Sequence, residues 1–315
     1  MKKIILSLVI LQTFVSAAFS QIRVGILNGP SCIPVANMME NIVSIDNQEL
    51  SYEKFSEATK LLPKMIKNEI DIGFLPVNVA AKVYNTSNRA LVCAAITGYG
   101  NLALITKDKT VSSFQDLKGK TVYVAGQGAT PDYLMQYLLK ENEIETNCEN
   151  GITLDYTIPT AQIAPALISG KIEYAVVPEP FITIAQMKDN SIYSVIDFQK
   201  EFSRFNKNEN YPLTVLVVNK KFAEEHNETL HKFLDEYSKA WGLTIALPAQ
   251  SAQLCEKYDL GLPSAVVSKS IPKTNYVFIS AKDGKESIEK ILSIFMELNP
   301  SSVGAKLPDE EFYFN

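Results

Sequence analysis

Two stretches of this chain repeat one another residue by residue. Met65 to Pro76 (MIKNEIDIGFLP) and Leu167 to Pro178 (LISGKIEYAVVP) each run through a helix end, a turn, an acidic residue, a short apolar strand and a proline. A second pair lies upstream of each. Val24 to Pro34 and Thr121 to Pro131 are both an apolar run, a glycine turn and a proline that opens a helix, with Gly29 and Pro34 matching Gly126 and Pro131. Self-similarity at a fixed offset means one unit built twice. Short apolar runs that alternate with helical periodicity predict parallel strands joined by helices. The expected architecture is therefore α/β, with two lobes on one plan, each a mostly parallel sheet flanked by helices, and a cleft between them.

The second glycine turn has chemistry of its own. Gly126 and Gly128 permit backbone conformations closed to other residues, Thr130 can cap a helix, and Pro131 suits a first helical position that needs no amide hydrogen. Unpaired amides at such a helix start suit an acceptor or an anionic group. The plainer reading is an ordinary strand-to-helix turn, which many α/β proteins contain.

Met1 to Ser20 carries a lysine pair, an apolar stretch from Ile4 to Phe14, and small residues at Ala18 and Ser20. This three-part pattern predicts a secretory signal peptide with the mature chain starting at Gln21. The apolar stretch is interrupted by Ser7, Gln12 and Thr13, and a membrane anchor needs about 20 consecutive apolar residues. A periplasmic location is expected. The formal charge of −5 has no basic bias, which argues against nucleic acid as a partner because phosphate binding needs clustered Lys and Arg. Cys32, Cys93, Cys148 and Cys255 show no Cys-x-x-Cys spacing, and no His-Glu-x-x-His or Cys/His set suggests a metal.

The chain divides into a signal peptide (1–20), a first part of lobe one (21–105), lobe two (106–210), and a return to lobe one with C-terminal helices (211–315). The extended run from Ala90 to Thr106 breaks at Gly98-Tyr99-Gly100, where the first crossing between lobes is expected. The polar segment Asn206 to Pro212, followed by an apolar strand to Asn219, predicts the second. Helices are expected over 220–246, 251–258 and 284–298, with no clear pattern over 259–278.

Five motifs now stand in order: Asn28-Gly29-Pro30, Asp71 to Pro76, Asp116 to Val122, Gly126 to Tyr133, and Val177 to Pro180. Together with the leader they resemble the periplasmic solute-binding proteins of ABC importers, within the nitrate, sulfonate, taurine and thiamine-precursor binders, over nearly the whole chain to about Leu247. The resemblance implies a type II periplasmic-binding-protein fold with two crossover strands. It also implies a monomer that holds a small molecule (a sulfonate, a carboxylate or a heteroaromatic vitamin precursor) and passes it to an ABC transporter permease, with no cofactor, no metal and no reaction. Two alternatives share the fold. Thiamine-pyrimidine synthases carry a functional histidine and a cysteine cluster, whereas here only His226 and His231 occur, among Glu224, Glu225 and Glu228 on a helix whose spacing suggests a solvated face. Menaquinone-pathway enzymes work inside the cell, which the leader disfavours. A soluble receptor for a separate membrane sensor is a further reading.

Open α/β sheets bind ligands beyond the carboxyl ends of their strands. The candidate ligand residues are accordingly Asn28, Gly29 and Ser31 after the first strand, and Asn78 after the first repeat. Gln127, Gly128, Ala129 and Thr130 follow the second glycine turn, Glu179 follows the second repeat, and Tyr99, Asn101 and Tyr211 sit at the crossings. Tyr99 and Tyr211 could stack on a ring or simply pack, and Glu179 could be a buried acid or a helix-start residue. With no Arg or Lys in this set, a single anionic group or a neutral hydrogen-bonding solute fits better than a multiply charged anion.

Overall fold

The computed structural model describes residues 21–315 apart from Glu149 and Asn208; the expected signal peptide lies outside the described residues. Among the described residues twelve strands form two sheets. They are β1 (Gln21–Leu27), β2 (Ser44–Ile45), β3 (Gln48–Phe55), β4 (Ile72–Pro76), β5 (Leu91–Tyr99), β6 (Leu102–Thr106), β7 (Thr121–Val124), β8 (Thr153–Asp155), β9 (Tyr174–Pro178), β10 (Tyr193–Asp197), β11 (Pro212–Asn219) and β12 (Tyr276–Ser280). The helices are α1 (Cys32–Asn41), α2 (Ala58–Ile66), α3 (Val77–Thr86), α4 (Thr130–Glu141), α5 (Thr160–Ile168), α6 (Phe181–Lys188), α7 (Phe198–Phe205), α8 (Lys220–Glu225), α9 (Asn227–Ala246), α10 (Pro248–Lys257), α11 (Ser264–Ser270) and α12 (Lys285–Leu298).

The first sheet runs β12-β5-β11-β4-β1-β3-β2 and the second β10-β6-β9-β7-β8. The duplication is visible in this order. Each repeat strand, β4 or β9, lies parallel to its glycine-turn strand, β1 or β7, and antiparallel to a strand that enters from the other half, β11 or β6. The runs ILV-rich in sequence are the central strands, buried on both faces as parallel-type strands require. The acidic residues of the two repeats have different fates. Asp71 is buried and accepts from Arg23 Nε at 2.9 Å, Nη2 at 2.5 Å and the Arg23 amide at 2.8 Å, which ties β1 to the start of β4, while Glu173 is exposed.

The chain changes sheet between Tyr99 and Leu102, ahead of the 105/106 boundary expected from composition, because β6 is already hydrogen-bonded to β9 from Leu102 onward. It returns at Pro212, where β11 pairs with both β4 and β5. Sequence reading missed α7 within 198–205, which Asp197 caps through the amides of Gln199 and Lys200. It also missed β12 in the unassigned segment, where an edge strand of half-buried residues gives a weak alternation signal. The helix expected over 220–246 is broken at His226, the residue between α8 and α9.

The two halves also share a core. Tyr133 of α4 lies 5.6 Å, centroid to centroid, from Phe295 of α12, within one apolar cluster that takes residues from both sheets. The opposite side, where α6 meets α11, holds cavities.

Candidate functional site

β1 and β4 run parallel, as do β7 and β9, so within each sheet the two strand-to-helix junctions leave from the same end. From the first sheet, Pro76 leads straight into α3, so Asn78 falls in its first turn. From the second, the turn after β7 holds Gly126 at φ +69° and Gly128 at φ +72°, the left-handed region expected from glycine there. These two junctions touch. Asn78 Nδ2 donates to the Gly128 carbonyl at 3.0 Å, and Thr130 Oγ1 donates to Asn78 Oδ1 at 3.2 Å. Asn78 and Thr130 are both fully buried.

The amide of Gly128 is not free for a ligand. It donates to Asp132 Oδ2 at 2.8 Å, and the same buried carboxylate accepts from Gln136 at 2.7 Å and from the Tyr156 hydroxyl at 2.5 Å. Burial, with the Asp132 carboxylate beside it, pushes the Tyr156 hydroxyl well above its ordinary range. Asp132 thus supplies internally the negative charge that a helix start attracts. The remaining turn residues Gly126, Gln127 and Gly128 are exposed, and Ala129 is half-buried.

A second group forms at the crossing. Asn101 immediately precedes β6 and Glu179 immediately follows β9, joined by a 3.2 Å bond from the Glu179 amide to the Asn101 carbonyl. Both line a cavity of about 460 Å³, together with Gln186 of α6, Ser194, Asp197, and Lys273 and Asn275 from the segment before β12. A neighbouring cavity of about 310 Å³ shares Gln186 and Lys273 and adds Thr183, Met187 and Lys269. Glu179 is buried to 2 % exposure and accepts from the Thr183 amide and hydroxyl, both at 3.1 Å. Its carboxyl is held above the usual carboxylate range, chiefly by burial, against the pull of those two bonds and of the Lys273 charge. Glu179 therefore both anchors the start of α6 and presents an acid to the cavity.

Other candidates stand elsewhere. Asn28 is exposed, with its amide donating to the Phe55 carbonyl; Gly29 takes φ +134°; and Ser31 is buried and bonds back to the Leu27 carbonyl at 3.4 Å. Tyr211, expected to face a ligand, is instead wholly buried and packs edge-on to Phe202 at 5.2 Å. Its ring occupies the space over Gly100, where any β-carbon would lie 2.2 Å from Tyr211 Cζ. Tyr211 is a packing residue of the crossing. Tyr99 is half-buried and directed to Ser287 of α12. The candidate set named from sequence holds no Arg or Lys, but the cavities beside Glu179 are also lined by Lys269 and Lys273, from the segment in which no element was expected. Their spacing of four residues near a helix end was the available signal, and it also suits a solvated face. Among the described residues no group of three or more His, Cys, Asp or Glu is placed to hold a metal ion, and no helix is long and apolar enough to cross a membrane.

Residues 75–251 match the family model described as NMT1/THI5 like. No curated protein matches the chain in sequence. Among solved structures, an ABC transporter protein from Parabacteroides distasonis is 27% identical with a TM-score of 0.80, over 93% of this chain and 98% of that one. The periplasmic aliphatic sulphonate binding protein SsuA from Escherichia coli superposes at TM-score 0.72 with 17% identity, over 94% of this chain and 96% of its own. The periplasmic nitrate-binding protein NrtA from Synechocystis gives 0.68 with 11% identity, over 90% and 82%.

Proposed function

This chain belongs to the NMT1/THI5-like family, and on that premise we propose that it is the extracytoplasmic solute-binding component of an ABC importer. It captures a small organic solute between its two sheets and delivers it to a membrane permease, acting as a periplasmic monomer without catalysing a reaction. The observation that carries this reading is the cavity of about 460 Å³ whose walls come from both halves: Asn101, Glu179 and Gln186 on the second-sheet side, Lys273 and Asn275 on the first. The volume suits a small molecule. A solute that touches both walls prefers the state in which they are close, and so shifts the population toward it.

The crossings at 99–102 and at 211–213 are the covalent pivots, and the apolar contact between α4 and α12 makes opening one-sided. Separation on that side exposes the Tyr133–Phe295 pair, whereas separation of α6 from α11 widens existing cavities. Native mass spectrometry of protein purified from its own host tests the reading, with small-angle scattering before and after removal of any bound molecule. A co-purified solute and a larger radius once it is removed are expected; a chain that carries no solute and keeps one radius throughout a solute screen would refute the proposal.

A further inference from the structure

We infer that the solute is a small zwitterion, with an oxyanion held at the Lys273 end of the cavity and a protonated amine held at the Glu179 end. This rests on the solute-binding reading above. The cavity has two walls of opposite character. On the wall from β6, β9 and β10 stand only acceptors of full charge, Glu179 and Asp197. Asn101 adds a third acceptor there. Its Nδ2 donates to the Thr274 carbonyl at 3.2 Å, which fixes the amide orientation, and its Oδ1 is buried with no hydrogen-bond partner among the described residues. A buried acceptor without a partner is costly and is satisfied by a donor brought to it. Glu179 has further capacity, since a carboxylate offers about four acceptor positions and Thr183 fills two of them.

The facing wall carries the cations. Lys273 lines both cavities and Lys269 the smaller one, and among the described residues neither forms an ion pair, whereas Lys107 and Lys120 of the second half do. A purely anionic solute would bring its charge toward Glu179 and Asp197. A purely cationic one would leave Lys273 uncompensated and adjacent. A molecule with both groups satisfies each wall, and its charges become more favourable as closure excludes water. Gln186 and Ser194, which bond each other on the second-sheet wall, and Asn275 on the facing wall add polar groups to the cavity without adding charge.

Calorimetry on the purified protein, freed of bound solute, tests this with matched probes. β-Alanine and γ-aminobutyrate carry both groups with a carboxylate, and taurine carries both with a sulfonate. Propionate, butyrate and ethanesulfonate lack the amine, and propylamine and butylamine lack the acid. At least one zwitterion is expected to bind about tenfold or more tightly than both of its single-charge counterparts, a difference of about 1.4 kcal/mol. The carboxylate and sulfonate arms identify the anion. In Lys273→Ala, an exposed position that packs no core, the advantage over the matching amine is expected to vanish. In Glu179→Gln, which keeps an acceptor for Thr183, the advantage over the matching acid is expected to vanish. Zwitterions that bind no better than the single-charge probes, or bind not at all, overturn the inference, as does unchanged zwitterion affinity in Lys273→Ala. A co-purified solute of another class would overturn it while leaving the solute-binding reading intact; a chain with no solute at all would remove both.

Discussion

The contact between Gly100 and Tyr211 gives the sharpest test of how the crossing is built. A β-carbon on Gly100 would sit 2.2 Å from Tyr211 Cζ, 2.3 Å from Cε1 and 2.5 Å from the hydroxyl oxygen. Carbon atoms in contact sit about 3.5–4.0 Å apart, so the ring would have to move by more than an ångström. It has nowhere to go. Tyr211 has no exposed surface, Phe202 flanks it at 5.2 Å, and the Gly100 amide is bonded to the Tyr211 carbonyl at 3.1 Å, which holds the two backbones together. Forced overpacking of this kind costs about 1–3 kcal/mol. Gly100→Ala is therefore expected to lower the unfolding free energy by that amount, seen as a lower denaturant midpoint at unchanged slope. Tyr211→Ala alone should cost about 3–5 kcal/mol as a large-to-small aromatic change in a core. The double variant gives the decisive number: with the ring gone the new methyl has room, so the pair should be less destabilised than the sum by about 1–3 kcal/mol. Strict additivity, or a Gly100→Ala cost under about 0.5 kcal/mol, would refute the packing argument.

Three further outcomes follow from the same geometry. Asn78→Ala leaves the Gly128 and Ser302 carbonyls and the Thr130 hydroxyl short of a partner, so a stability loss of about 1–3 kcal/mol is expected in thermal or chemical unfolding, and a change within error would count against the bridge. Native protein should present a single reactive thiol to an aromatic disulfide reagent at mildly alkaline pH: Cys148 is exposed, whereas Cys32, Cys93 and Cys255 are buried, and burial pushes the Cys32 thiol up to about 11; more than one fast-reacting thiol would contradict this. Because burial raises the folded-state pKa of Glu179, the folded chain holds that proton more tightly than the unfolded chain. The sign is then fixed: this group's contribution to stability is fullest below the unfolded carboxylate value and is lost as pH rises through the folded one. Wild type should gain on Glu179→Gln as pH falls from about 7 to about 4, and parallel pH profiles for the two proteins would show that the carboxyl is not perturbed.

The duplication made the architecture legible. Apolar runs ending in Pro76 and Pro178 locate the two central parallel strands, and both glycine turns fall where the structure puts them, because these positions have few sequence solutions. Asn78, Gly128 and Thr130 were separately named as junction residues, and the fold brings them into contact. Tyr211 carried two readings, stacking on a ligand ring or packing, and the structure gives packing. An aromatic residue before a strand reads alike whether it faces a cleft or fills a gap, and only the absent side chain at Gly100 decides between them. Asp132 was legible as a helix-start carboxylate, but its bond to the Gly128 amide depends on the turn closing back by four residues. Lys273 was out of reach, since β12 is an edge strand whose placement beside β5 depends on long-range pairing, and local periodicity carries no trace of that.

The exchange of strands between the halves has a consequence for how the chain is made. β4 is flanked by β1, which precedes it closely, and by β11, where Thr214 lies opposite Pro76. A chain emerging amino end first has synthesised β1, β3 and β4 long before β11 exists, and until then one side of β4 and both sides of β5, whose partners β11 and β12 come later, present unpaired backbone. The first sheet cannot close until the whole second half has been made. Pairings of such sequence separation are slow to form. The early segment therefore waits with open strand edges, a state prone to association and also one that has not yet locked. Under the proposed export, in which the polypeptide is threaded through a membrane before it folds, that delay is an advantage built into the connectivity itself.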